Sequence, residues 1–133
     1  MPLFLLHAAL MALGFLFVLA ALIVAGTQRR KRWWLKVHRA IGIAGGLLMA
    51  LGAVAAVVFV ASNPDGEHLR TPHTWVGALT VLTAVITPAL GQLQFKIPGK
   101  AAAIRTAHRL CGRILNVLAP LAIGMGLRLA ELI

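Results

Sequence analysis

The sequence predicts an all-α protein, an integral membrane bundle of four helices that run up and down in turn. Apolar residues make up 60% of the 133-residue chain, and the mean hydropathy is +0.90, far outside the range of soluble domains. Residues 1–28, 40–64 and 71–95 contain no Asp, Glu, Lys or Arg. Each of these stretches can cross a hydrocarbon core of about 30 Å, which takes about 20 helical residues. A chain of this length forms one domain.

Turn signals and charges separate the four segments. A basic turn at residues 28–32 is followed by two tryptophans, which are typical of a membrane interface. Residues 62–66, Ser-Asn-Pro-Asp-Gly, are a dense turn signal. Thr71 followed by Pro72 predicts a helix cap with proline at the first helical position. We therefore expect the helices of this single transmembrane domain at about residues 3–26, 35–61, 72–95 and 102–132.

The charges are distributed unevenly between the two ends of the bundle. The end that holds both odd-to-even connections has ten basic residues and no acids; these are Arg29, Arg30, Lys31, Arg32, Lys36, Arg39, Lys96, Lys100, Arg105 and Arg109. The other end has Arg70 and Arg128 and all three acids, Asp65, Glu67 and Glu131. Short basic loops face the cytoplasm, so we expect both termini on the non-cytoplasmic side of the cell (inner) membrane. Topology also accounts for the net charge of +10, and we expect no nucleic-acid partner.

Each apolar segment carries one histidine near its N-terminal end. These are His7, His38, His73 and His108, and the last three begin a His-x-x-x-Gly pattern with Gly42, Gly77 and Gly112. Successive helices start at opposite ends, so His7 and His73 share the outer level. His38 and His108 share the cytoplasmic level, on the order of 20 Å away at 1.5 Å per residue. Odd helices lie diagonally across an up-down bundle, as do even ones, so each pair faces across the axis.

Two imidazoles at one depth can hold a flat group between them, and haem fits that gap. Its iron takes an axial nitrogen ligand on each side of the ring, and imidazole is a common one. Small residues on the histidine faces, such as Gly42, Gly77 and Gly112, leave room for the ring; close helix packing is the alternative explanation. A zinc or copper site is disfavoured because no carboxylate lies within a helix body.

Basic residues beside the cytoplasmic pair are candidates to neutralise the haem propionates. Arg39 and Arg109 each follow a histidine of that level, although the topology rule explains their positions equally well. Arg113 lies deeper and must snorkel or find an anion, for which a propionate is a candidate. His68 belongs to a polar loop and is expected to be solvated. Three methionines, which can also bind haem iron, are expected to fill the core instead: Met11, Met49 and Met125.

The four histidines, at spacings of 31, 35 and 35 residues, and their His-x-x-x-Gly steps resemble the four-helix core of the cytochrome b561 family. The resemblance runs from His7 to the end of the fourth helix. It implies two b haems held between alternate helices, with His7 paired to His73 and His38 to His108, and electron transfer across the membrane. Eukaryotic members usually carry a further helix on each side of this core, so the compact sequence favours a prokaryotic member.

Three classes of function follow from these observations. The first is a dihaem electron carrier or transmembrane oxidoreductase, with a soluble anionic reductant, a cytochrome or a quinone as its redox donor or acceptor. The second is a haem-containing membrane-anchor subunit of a larger redox complex that exchanges electrons with quinone, because the short loops leave little surface for a substrate pocket. The third is a haem-free transporter or scaffold. In every case the lipid bilayer is a partner, and a homodimer is a further assembly to test.

Overall fold

The structure, a computed structural model, describes residues 2–64 and 66–131 and confirms the predicted all-α membrane bundle. Four long helices follow one another: α1 Pro2–Thr27, α2 Trp34–Ala61, α3 Pro72–Lys96 and α4 Ala101–Leu129. All four are long and apolar enough to cross a membrane, so the chain is a multi-pass membrane protein. The described residues contain no strand.

The fourth helix is shorter than its sequence suggests. It is preceded by a single 3₁₀ turn, Pro98–Lys100, and ends at Leu129. Glu131 has a φ of 56°, a left-handed conformation of the kind that often terminates helices. Leu132, the expected last residue of this helix, lies outside the described residues. So does Asp65, one of the three acids assigned to the outer end.

The four helices pack as two hairpins, α1 with α2 and α3 with α4. Glycines let the backbones of the first hairpin touch. A Cβ placed on Gly45 would lie 2.9 Å from the carbonyl oxygen of Gly14, and one on Gly14 would lie 3.0 Å from that of Gly45. The hairpins meet along α2–α3 and α1–α4. The helices therefore stand around the bundle axis in chain order, with α1 diagonal to α3 and α2 diagonal to α4.

The core between the helices is small. Its side chains are Met11, Val18, Met49, Ala84, Leu115 and Ala119. Met49 is fully buried, as expected of a flexible side chain that fills space. Thr80 and Thr83 are buried as well, and each hydroxyl donates to the carbonyl oxygen four residues earlier. Many leucines and valines point outward, which suits a surface that faces lipid rather than water.

The two hairpins approach closely where Gly46 of α2 passes Pro88 of α3. Proline has no N–H, so Pro88 leaves the carbonyl of Ala84, four residues earlier, without its helical donor, as the sequence predicts. A Cβ placed on Gly46 would lie 2.8 Å from that carbonyl oxygen and 3.4 Å from the proline ring. A glycine fits here, and its Cα–H groups can face the oxygen.

Replacing Gly46 with alanine should destabilise the protein, although alanine is the better helix former. Overpacking costs about 1–3 kcal/mol, which exceeds the roughly 0.5–1 kcal/mol that Gly→Ala contributes within a helix. Thermal unfolding of the purified protein, followed by circular dichroism, measures the change. Gly124→Ala in α4 is the matched control and should not destabilise, since nothing lies within 4 Å of its added Cβ. If Gly46→Ala were as stable as the wild type, α2 and α3 could move apart at this point without loss of folding free energy.

Candidate functional site

The structure brings the four intramembrane histidines together as two pairs across the bundle axis. The rings of His7 and His73 have centroids 6.3 Å apart, with planes at 81°. The rings of His38 and His108 have centroids 5.9 Å apart, with planes at 89°. Each pair therefore joins one helix of the first hairpin to one helix of the second. His68 is exposed in the connection between α2 and α3.

Helix starts place these side chains at two levels. Thr71 caps α3, because its hydroxyl accepts the N–H of Thr74, and this cap puts His73 in the first turn. Adjacent helices run in opposite directions, so the early residues of α1 and α3 lie at one end of the bundle. Those of α2 and α4 lie at the other end, beside the connections 28–33 and 97–100. We call this second end the basic end.

Every histidine of the two pairs is held through Nδ1 by a backbone carbonyl of the other helix in its own hairpin. The N···O distances are 2.8 Å from His7 to Gly52, 2.9 Å from His38 to Ala21, 3.0 Å from His73 to Ala122 and 2.8 Å from His108 to Thr87. In all four cases the acceptor lies fourteen residues after the histidine of its own helix. Fourteen helical residues rise about 21 Å, so the two histidine levels are separated by roughly that distance.

These bonds determine which ring nitrogen can bind a metal. A carbonyl oxygen only accepts, so each Nδ1 carries the proton and donates it. In the neutral imidazole, Nε2 is the nitrogen without a proton, and its lone pair is available for a metal ion. Metal-binding histidines are held in this way through their second nitrogen. The protein alone therefore fixes each ring through Nδ1 and leaves Nε2 available.

The separation within each pair suits one metal ion between the rings. Two metal–nitrogen bonds of about 2 Å, with roughly 1 Å from each nitrogen to its ring centre, place the centroids about 6 Å apart. The observed separations, 6.3 Å and 5.9 Å, agree with that value. Only two such ligands meet at each level, and within the described residues no group of three or more His, Cys, Asp or Glu could hold a bare ion. An iron that already has four porphyrin nitrogens needs two axial ligands.

The glycines of the His-x-x-x-Gly pattern lie beside open space. Nothing lies within 4 Å of a Cβ placed on Gly77. A Cβ on Gly42 or Gly112 would meet a single side-chain atom, at 3.7 Å and 3.8 Å respectively. Close helix packing, the alternative explanation of these glycines, therefore has no support at the three positions. The space beside them suits a flat ligand.

Two further glycines, Gly91 and Gly126, lie directly against the histidine rings. A Cβ on Gly91 would lie 3.2 Å from the ring of His108, and one on Gly126 would lie 2.9 Å from the ring of His73. Each glycine comes eighteen residues, or five helical turns, after the histidine of its own helix, and supports the histidine of the partner helix. A His-x17-Gly spacing that recurs in α3 and α4 is the sequence signal that predicts this role.

The pair at the basic end lines a cavity between all four helices. Its volume is about 590 Å³, within the range of cofactor pockets. His38 and His108 are part of its wall, and most of the remaining wall is apolar. Five arginines also line it: Arg29, Arg39, Arg105, Arg109 and Arg113. The cavity therefore suits a broad apolar ligand that carries negative groups.

The three predicted propionate partners have different surroundings. Arg39 donates to the side-chain oxygen of Gln92 and lies over the Phe95 ring, 5.3 Å from its centroid. Arg109 is exposed at the rim of the cavity, and Arg113 lines it one turn deeper. No carboxylate among residues 2–64 and 66–131 forms an ion pair with any of the three. Arg39 is thus partly engaged by α3, whereas the other two guanidinium groups have more freedom to meet an anion.

Comparison with known families identifies the chain. The family model described as eukaryotic cytochrome b561 matches residues 6–132. No curated protein and no solved structure matches the chain. The match covers all four helices and both histidine pairs. The chain therefore belongs to the cytochrome b561 family, whose members use b-type haem for electron transfer across a membrane.

Proposed function

We propose that this protein carries electrons across the membrane through two b haems, one bound by His7 and His73 and the other by His38 and His108. The observation that carries the proposal is the pairing of the four imidazoles, with ring centroids 6.3 Å and 5.9 Å apart. Each imidazole has its Nδ1 occupied and its Nε2 free. Haem iron supplies the redox chemistry, since it changes between the ferric and ferrous states by one electron.

The chain's own residues would position each haem and form its surroundings. The carbonyls that hold the four Nδ1 atoms keep each imidazole at the depth and rotation that ligation needs. Gly42, Gly77 and Gly112 leave space beside the rings. At the basic end, Arg39 and Arg109 are placed to neutralise the propionates, because a buried carboxylate needs a cation or several hydrogen bonds.

The charge of the connections supports one orientation in the membrane. We place the basic end in the cytoplasm and both termini on the other side of the cell membrane, following the general bias of short basic loops. The His38–His108 pair then lies beneath the cytoplasmic surface, and the His7–His73 pair lies near the outer one. Electrons from a cytoplasmic donor would enter at the first pair and leave at the second.

The purified protein should contain two non-covalent b haems per chain, both low-spin and six-coordinate. Two pairs of imidazoles provide two axial ligands for each iron, and the chain has no Cys-x-x-Cys-His sequence for covalent attachment. A pyridine haemochrome assay with protein quantification measures the number. One haem per chain, or a high-spin majority in the native protein, would contradict the assignment.

The angles between the ring planes allow a second test of the proposed haem ligation, by EPR spectroscopy. If each pair held a haem iron with its ring planes at the angles seen here, 81° and 89°, two of the iron d orbitals would be almost equal in energy. Each ferric haem should then give a strongly anisotropic EPR spectrum with one large principal g value. A resolved rhombic spectrum would indicate parallel rings and would contradict the observed ring geometry.

A soluble anionic donor should reduce the His38–His108 haem first. The basic end holds ten basic residues and no acids, and such a field speeds the encounter with anions; salt screens it beyond about 8 Å at physiological ionic strength. In stopped-flow experiments on oriented vesicles, the rate should fall steeply with salt and after combined neutralisation of Arg29, Arg30 and Lys31. Arg128→Gln, at the opposite end, is the control. A rate that is indifferent to salt and to these substitutions would leave membrane insertion as the sole reason for the charge.

The size of the connections favours a second candidate function, a membrane-anchor subunit. The described residues outside the helices form only short turns, which offer little surface for a substrate pocket of their own. Such a subunit would pass electrons between a bound redox enzyme or cytochrome and a membrane quinone. Purification in mild detergent distinguishes the two functions, because an anchor subunit retains a stoichiometric protein partner and an independent carrier does not.

A further inference from the structure

Two polar side chains in the middle of α4 have hydrogen-bonding groups that no described residue satisfies. Arg113 lies twelve residues after the start of this helix, about 18 Å along its axis, and Asn116 lies nearly one turn further. Both line the cavity at the basic end. Arg113 also borders a shallow groove on the outer face of α4, whose other residues are Ile114, Val117 and Leu118. Arg113 therefore stands between the cavity and the lipid, and Asn116 lies on the cavity side.

Arg113 is a cation at membrane depth. The single ion pair of the described residues joins Glu67 to Arg70 in the connection between α2 and α3, so none of the carboxylates that the structure describes is a partner of Arg113. A charged side chain in the hydrocarbon region is costly, and such residues usually mark a binding site or a pathway. Its guanidinium offers several N–H donors and needs an acceptor.

Asn116 has the opposite requirement. Its side-chain nitrogen donates to the carbonyl oxygen of Gly112. Its side-chain oxygen is buried and has no hydrogen-bond donor. A buried acceptor without a partner is unfavourable. Asn116 therefore needs a donor at the same depth at which Arg113 needs an acceptor.

A haem between His38 and His108 would not meet the requirement of Asn116. The edge of haem consists of methyl and vinyl groups and of propionates, and ionised propionates accept hydrogen bonds but do not donate them. The ligand that satisfies both side chains has one oxygen that accepts, one hydroxyl that donates and an apolar body. Residues three apart on a helix are about 5–6 Å apart at Cβ, similar to the distance between the two oxygens across a quinone ring.

We propose that Arg113 and Asn116 bind the head group of a membrane quinone in its reduced form, the quinol. The quinol enters from the lipid along the groove of Ile114, Val117 and Leu118. In the quinol, one oxygen accepts from Arg113 and the hydroxyl of the other donates to the side-chain oxygen of Asn116. This inference rests on the proposed function, because it assigns a lipid-soluble electron partner to the haem of the His38–His108 pair. It concerns binding of the head group.

The test uses the haem-loaded protein in nanodiscs of neutral lipid, with a decyl-tailed 1,4-benzoquinol kept reduced under anaerobic conditions as the probe. The amount retained above that in empty nanodiscs should saturate at one quinol per chain. Arg113→Gln and Asn116→Leu should each weaken binding about tenfold or more, since each removes one hydrogen bond and the first removes a charged donor. Arg128→Gln, the same change at the other end of α4, is the matched control and should bind like the wild type.

The haem content of each sample separates this inference from the proposed function. If the wild type holds both haems but shows no saturable quinol binding, the inference is overturned and the dihaem assignment stands. Binding that is equal in Arg113→Gln, Asn116→Leu and the wild type would also overturn it. Loss of haem from Arg113→Gln, without quinol binding by the wild type, would make Arg113 a propionate partner instead. Absence of haem from the wild type would overturn the proposed function itself, whatever the quinol result.

Discussion

Replacing His38 with alanine should lower the haem content from two to about one per chain, and replacing His108 should have the same effect. Each substitution removes one of the two axial ligands at the basic end. The His7–His73 level lies about 21 Å away along the helices and shares no ligand with it, so that haem should remain. Pyridine haemochrome assays give the number, and redox titration of the remaining haem identifies which one is lost.

The outer pair should behave in the opposite way. His7→Ala and His73→Ala should remove the other haem and largely spare the one at the basic end. His68→Ala is the matched control, since this histidine is exposed in a connection, and it should keep two haems. If His7→Ala and His38→Ala deplete the same haem, the assignment of ligands to levels is wrong.

Replacing Gly126 with valine should release the His7–His73 haem without touching either ligand. A Cβ at this position would lie 2.9 Å from the ring of His73. The ring cannot easily move away, because its Nδ1 is bonded to the carbonyl of Ala122 at 3.0 Å. We expect about one haem per chain, or a large fall in the affinity for the second.

Gly124→Val in the same helix is the control for this substitution. It introduces the same β-branched side chain and the same helix propensity, but nothing lies within 4 Å of its Cβ. It should therefore retain two haems. Equal haem content in the two variants would mean that the His73 ring moves freely, and that its position is not fixed by Gly126.

The helices and the two histidine levels could be predicted because they depend on local sequence. Charge-free stretches long enough to cross a bilayer predict the four spans, and Thr71-Pro72 predicts the start of α3 within a residue. The depth of each histidine in the membrane then follows from its distance to the helix start, since the rise per residue is constant. None of these inferences requires knowing which face of a helix meets which neighbour.

The supporting contacts could not be predicted because they depend on how each helix is rotated about its own axis. Gly91 and Gly45 are both glycines within a helix, yet one supports a histidine ring and the other allows two backbones to touch. Pro88 in the sequence predicts that the Ala84 carbonyl loses its helical hydrogen bond. It does not predict that this carbonyl faces Gly46 of the other hairpin. α4 ends at Leu129, three residues before the predicted boundary, and the left-handed backbone of Glu131 that follows is not indicated by the apolar pattern.

The arrangement of carbonyl and imidazole has a consequence for how the protein is made. Each hairpin orients its own two histidines, whereas each proposed haem would take one histidine from each hairpin. The histidines of each hairpin would therefore be oriented before haem arrives, and haem would then link the two hairpins. Without haem, the two hairpins would be joined only by the packing of α2 with α3 and of α1 with α4. Haem would then stabilise the assembled bundle as well as serve in electron transfer, because a ligand that binds only the folded form favours it.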